Sequence, residues 1–155
     1  MRTSILILMS MTFISVSGQK QATNTNTQTL TTAQLVNKSY QTGDTAAIKT
    51  VIAPDFIDHT ERGDIGLDKF TKMIAYVHKA YPDMKIEIIK EFADEDYVFS
   101  LLHFTGTSKG NAGTPDGHYD LHTIEVYKFE NGKIVEHWAY TQMKEVMKLK
   151  SGTKQ

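Results

Sequence analysis

The chain has 155 residues, of which 40% are hydrophobic and 23% charged, with Lys+Arg 17 against Asp+Glu 18. That is the length and composition of one globular domain, and a net charge of −1 offers no basic surplus for binding nucleic acid. With Cys 0, disulfides, thiolate metal sites, iron–sulfur clusters and cysteine nucleophiles are excluded.

Met1-Arg2-Thr3-Ser4 is a short basic start, followed by an apolar run from Ile5 to Ile14 and the small residues Val16-Ser17-Gly18. This three-part layout predicts a signal peptide over 1–18 and an exported protein, periplasmic or extracellular, of bacterial type. The run is shorter than the ~18 apolar residues of a membrane span, so no stable span is expected after cleavage. Residues 19–32 are rich in Gln, Asn and Thr and predict a disordered polar tether. The folded domain is then expected over 33–150.

Leu35, Val36 and Tyr40 share one face of a first helix that Gly43 stops. Asp44 is placed to cap a short second helix carrying Ala47, Ile48, Val51 and Ile52, ended before Pro54. Phe56 to Thr60 reads as extended. Leu67, Phe70, Ile74 and Val77 mark an amphipathic third helix that stops before Pro82, and His78 falls on its surface. Beyond Pro82 the period changes to that of strands: Lys85–Phe92, Tyr97–Thr107, Tyr119–Phe129 and Ile134–Met143. Asp94-Glu95-Asp96 makes a turn, Lys109 to Gly117 a Gly-rich loop, and Asn131-Gly132 a two-residue hairpin. Helices followed by a curved antiparallel meander give an α+β layout.

This order, with Gly132-Lys133-Ile134-Val135-Glu136-His137-Trp138 near its end, resembles the SnoaL-like polyketide cyclase family of the nuclear transport factor 2-like superfamily. Asp58-His59-Thr60 and Phe104-Thr105-Gly106-Thr107 are weaker supporting matches. The resemblance implies a cone-shaped nuclear transport factor 2-like fold, a strongly curved antiparallel sheet wrapped over three N-terminal helices. It also implies a ligand pocket inside the cone and a homodimer made through the outer sheet face. No cofactor and no metal are expected, and the implied partner is a small hydrophobic ligand of carbonyl type.

Strand parity sorts the residues of the last two strands. If the cone applies, Thr123, Glu125, Tyr127 and Phe129 face the pocket, as do Val135, His137, Ala139 and Thr141. Ile124, Val126, Trp138 and Tyr140 then form an outer apolar patch suited to a dimer interface. His59 is assigned to the pocket by analogy with relatives. His103 is a candidate pocket donor, and Phe70 and Ile74 are expected to wall the cavity from the third helix. His118, Asp120 and His122 share a strand face and read as solvated polar residues rather than a zinc site.

In the family's ring-closing enzymes, the residue two after the His of Glu-His-Trp is an Asp that acts as general acid and base. Here that position is Ala139, which has no proton to exchange. Glu125 is the nearest replacement. Aldol closure or keto–enol isomerisation needs a base for a carbon-bound proton and a donor for the enolate oxygen. A carboxylate in an apolar cavity becomes a usable base through desolvation. Glu125 is therefore the candidate base, with His137 or the Tyr127 hydroxyl as donor. A binding protein without turnover, or an interaction module of the same fold, is the alternative.

Overall fold

The computed structural model describes residues 18–110 and 115–141. All but Gly18 of the signal peptide expected over 1–18, the middle of the Gly-rich loop and the end of the last predicted strand at Met143 lie outside the described residues. Three helices, α1 (Gly18–Thr42), α2 (Thr45–Val51) and α3 (Leu67–Ala80), pack against one six-stranded sheet. Its strands are β1 (Ile52–Thr60), β2 (Gly63–Gly66), β3 (Lys85–Asp94), β4 (Tyr97–Ser108), β5 (Gly117–Glu130) and β6 (Lys133–Thr141).

α1 begins earlier than its apolar stripe suggests. The stretch expected to be a disordered tether is helical from Gly18 onward. Its threonines return hydrogen bonds to the helix itself, Thr29 Oγ1 to Asn26 O at 3.0 Å and Thr31 Oγ1 to Thr27 O at 2.9 Å. Thr29 and Thr32 are buried, and Leu30 packs on the core, so this polar segment is anchored by few apolar atoms. At the other end Gly43 stops the helix with φ 71°. A side chain there would meet the His78 ring, whose Cδ2 lies 2.6 Å from where a Cβ would stand. His78 is consequently half-buried against Gly43 rather than on the surface. Asp44 caps α2 as expected, accepting from the Ala46 and Ala47 amides at 3.1 Å each.

The strand order is β2-β1-β6-β5-β4-β3. β3 to β6 form the antiparallel meander, but β1 runs parallel to β6, which the sequence does not announce. This pairing sets Asp58 beside His137 and His59 beside Trp138. The hairpin between β5 and β6 turns on Asn131 and Gly132, with φ of 50° and 75°.

Parity on β6 is interrupted. Phe129 pairs with Ile134 and Lys128 with Glu136, so Val135 has no partner across the ladder. The bulge turns Ile134 inward, fully buried, while His137 three residues on faces the same way. Val135 is therefore not a cavity residue as parity predicts; it is half-exposed at the bulge. The core consists of Val36, Ile48, Ile52, Phe56, Phe70, Ile74, Val98, Tyr127, Phe129 and Ile134, between the helices and the concave sheet face. Gln34 Nε2 and Ser100 Oγ both donate to Glu91, at 2.6 Å each, which ties α1 to β3 and β4.

Candidate active site

Three strands converge on one imidazole. His137 on β6 donates from Nδ1 to Asp58 Oδ1 at 2.8 Å and from Nε2 to Glu125 Oε2 at 2.5 Å. All three side chains are buried. Burial alone pulls the imidazole's pKa down, but the hydrogen bonds to Asp58 and Glu125 and their charges outweigh it and raise it to about 9. At neutral pH both ring nitrogens thus carry protons, and each makes a charge-assisted bond to a carboxylate. Two carboxylates and one imidazolium leave a single formal negative charge.

Aromatic rings close the cage. Tyr127 stacks on His137 at 4.8 Å between centroids, and Phe70 meets it edge-on at 5.6 Å. The Tyr127 hydroxyl donates to Asn37 Oδ1 at 2.6 Å. Its pKa is held well above 10 by burial and then by the charge of Glu125.

Glu125 is where this buried relay meets a cavity of about 230 Å³. β5 supplies Tyr119, Leu121, Thr123 and Glu125 to its wall; β6 supplies Ala139 and Thr141, and β4 Phe104. Tyr40 closes it from the last turn of α1, and Val77, Tyr81 and Met84 from the end of α3 and beyond. Thr123 and Thr141 hydrogen-bond each other through their hydroxyls at 3.1 Å. Glu125 faces Ala139 directly across the ladder. With Oε2 on His137, its Oε1 has no hydrogen-bond partner among the described residues.

The predicted site residues separate into three groups. Glu125, Thr123, Ala139 and Thr141 line the cavity. His137, Tyr127, Phe70 and Ile74 lie in the core; the first three surround or form the relay behind Glu125. His59 and His103 are not in the pocket, because both point from the outer sheet face. His59 stacks on Trp138 at 4.7 Å and bonds Asp64 Oδ1 at 3.0 Å and Glu136 Oε2 at 2.9 Å. The hydrogen bond to Glu136 foremost raises its pKa. His103 stacks on His122 at 4.7 Å and bonds Asp120 Oδ1 at 2.8 Å. Among the described residues no group of three or more His, Asp or Glu is arranged to hold a metal ion.

Asp58 and Tyr40 are the residues that sequence reasoning passes over. Asp58 sits beside His59 in the motif, and only the β1 register decides which of the two turns inward. Tyr40 reads as part of an ordinary apolar helix stripe.

On the outer face, Phe92, Phe99, Val126 and Trp138 follow one another across four adjacent strands, with Ile124 and Tyr140 in the next row. Ile124 is 46% exposed, Tyr140 59% and Phe92 50%.

Comparison with known proteins agrees with this architecture. Residues 30–148 match the family model described as SnoaL-like polyketide cyclase. A Jannaschia protein assigned as a SnoaL-like polyketide cyclase superposes with a TM-score of 0.72 at 17% identity, covering 83% of this chain and 95% of its own. A Bacillus cereus protein assigned as a polyketide cyclase gives 0.67 at 25% identity, over 86% and 85%. AclR from Streptomyces galilaeus, assigned as a hydroxylase, gives 0.69 at 22%, over 83% and 84%. No curated protein sequence matches the chain.

Proposed function

We propose that this chain, which belongs to the SnoaL-like polyketide cyclase family, binds a small apolar carbonyl compound and moves a proton on it with Glu125. The observation that carries this reading is the carboxylate's position. Glu125 alone among the relay residues lines the cavity, with one oxygen held by His137 and the other uncommitted. The Glu125 carboxylate takes a proton from the carbon beside the carbonyl, and the charge passes to the carbonyl oxygen. Return of that proton to another carbon completes an isomerisation. Attack of the enolate carbon on a second carbonyl, with the proton delivered to the new alkoxide, closes a ring instead.

His137 and Asp58 act through Glu125. The imidazolium fixes the carboxylate's orientation, and Asp58 fixes the imidazolium. With Ala139 in place of a carboxylate, Glu125 is the one carboxylate that lines the cavity among the described residues. At about 230 Å³ the cavity falls below the usual ~300–1,000 Å³ of sites for drug-sized molecules, which favours a compound of one or two rings.

The reading extends to the setting in which the protein works. The basic, apolar and small-residue run of Met1–Gly18 supports export to a bacterial periplasm or exterior. The apolar outer row supports a homodimer.

The test is exchange of the α-protons of 2-tetralone in D2O. The wild-type protein accelerates exchange, and Glu125→Gln lowers the catalysed rate by about 10²-fold or more. Equal exchange by wild type and Glu125→Gln overturns Glu125 as the base. A second reading, a binding protein without turnover, is favoured by the absence of the family's Asp at Ala139. It is the outcome if 2-tetralone binds and wild type leaves its exchange at the background rate.

A further inference from the structure

Removal of a carbon-bound proton needs a donor for the oxygen that receives the charge, and both donors suggested by the sequence are committed elsewhere. His137 uses Nδ1 on Asp58 and Nε2 on Glu125. The Tyr127 hydroxyl donates to Asn37. Of the cavity's other phenols, Tyr119 lays its ring over Gly106 and against Tyr81, and its hydroxyl, buried without a hydrogen-bond partner among the described residues, feels Asp83 and Tyr81 rather than Glu125.

Tyr40 stands apart. It lines the cavity from the last turn of α1, on the helical wall facing the sheet residue Glu125. Its ring meets Phe70 edge-on at 6.5 Å and 89°, and Phe70 in turn packs on His137, so one stack of aromatics orients both the phenol and the relay. The side chain is half-buried, and its hydroxyl makes no hydrogen bond among the described residues.

We infer that the Tyr40 hydroxyl is the donor for the carbonyl oxygen of a small enolisable ketone whose α-carbon faces Glu125. This rests on the reading of Glu125 as the base. Glu125 takes the α-proton, the C–H electron pair becomes the enolate double bond, and the carbonyl π pair moves to oxygen. Tyr40 keeps its proton and shares it with that oxygen through a hydrogen bond that strengthens as charge builds. Burial, then the charges of Glu125 and Asp58, hold the phenol well above its ordinary pKa, which keeps it in the donating form at neutral pH. Tyr40 lines the cavity from the helical side and Glu125 from the sheet, so a flat ketone between them can present oxygen to one and carbon to the other.

The experiment compares binding of 2-naphthol and 2-methylnaphthalene, which differ in whether the ring carries an oxygen, to the full chain. Wild type is expected to prefer 2-naphthol by about tenfold. Tyr40→Phe is expected to abolish that preference and leave the affinity for 2-methylnaphthalene unchanged. A preference that survives in Tyr40→Phe overturns the proposal, and so does failure of the wild type to bind either probe. The same variants in 2-tetralone exchange separate the two readings. A lost preference in Tyr40→Phe, with Glu125→Gln exchanging at the wild-type rate, removes the base and keeps the donor. A preserved preference, with Glu125→Gln inactive, removes the donor and keeps the base.

Discussion

Glu125 stands directly opposite Ala139 in the β5–β6 ladder, yet its hydrogen bond goes to the next inward-facing residue of β6, His137, at 2.5 Å. The methyl group of Ala139 leaves the space in front of the carboxylate open to the cavity. A carboxylate at 139 would face Glu125 across the ladder, and like charges placed so destabilise a sheet by up to about 1 kcal/mol. Ala139→Asp should therefore be less stable than the near-isosteric Ala139→Asn by about that amount at pH 7. Urea denaturation of the two variants at pH 7 measures the difference. Equal stability at pH 7 would mean that the two side chains do not oppose each other.

The His137 imidazolium links folding to pH. Its folded-state pKa is raised to about 9, against 6.5 for the free side chain. A raised pKa means that the folded protein binds the proton more tightly. The contribution is therefore complete below pH 6.5 and is lost as pH climbs through 9. The full span corresponds to at most about 3 kcal/mol. Urea midpoints should fall between pH 6.5 and pH 9, and His137→Gln should lack that fall. NMR titration of the imidazole in the wild-type protein gives the same pKa without a variant. A ring that titrates near 6.5 in the folded protein would remove the imidazolium from the relay.

The layered α+β order was legible because its signals are local. Asp44 caps, Gly43 stops, Asn131-Gly132 turns, and the helical stripe of Phe70 and Ile74 is buried as its period requires. Residues 119 to 129 alternate faces without interruption, so Thr123, Glu125 and Tyr127 share the buried face as strand parity requires. The losses came from non-local geometry. A bulge at Val135 shifts the β6 register relative to Phe129, and no residue type there marks it. The choice between Asp58 and His59 depends on a parallel pairing of β1 with β6, strands separated by more than half the domain. Composition alone also points residues 19–32 to disorder, whereas they are helical; Thr29, Leu30 and Thr32 pack this end of α1, and such sparse contacts have no compositional signature.

The outer sheet face makes the remaining prediction. Phe92, Phe99, Val126 and Trp138 run in register across β3 to β6, and His59 on β1 extends the row by stacking on Trp138. Ile124 and Tyr140, paired across the ladder, form the neighbouring row and are among the most exposed large apolar side chains described. A contiguous apolar surface of this kind marks an association site more often than a free surface. A two-fold dimer brings the same patch of each copy together, so one substitution acts twice at the interface. Ile124→Lys places a charge near the middle of the patch on each copy, and its burial against the partner is unfavourable. Sedimentation velocity should show a wild-type dimer and an Ile124→Lys monomer at micromolar concentration, with 2-tetralone exchange retained because Ile124 points away from the cavity. A wild-type monomer would remove the interface. A dimer that survives Ile124→Lys would place the contact elsewhere on the molecule.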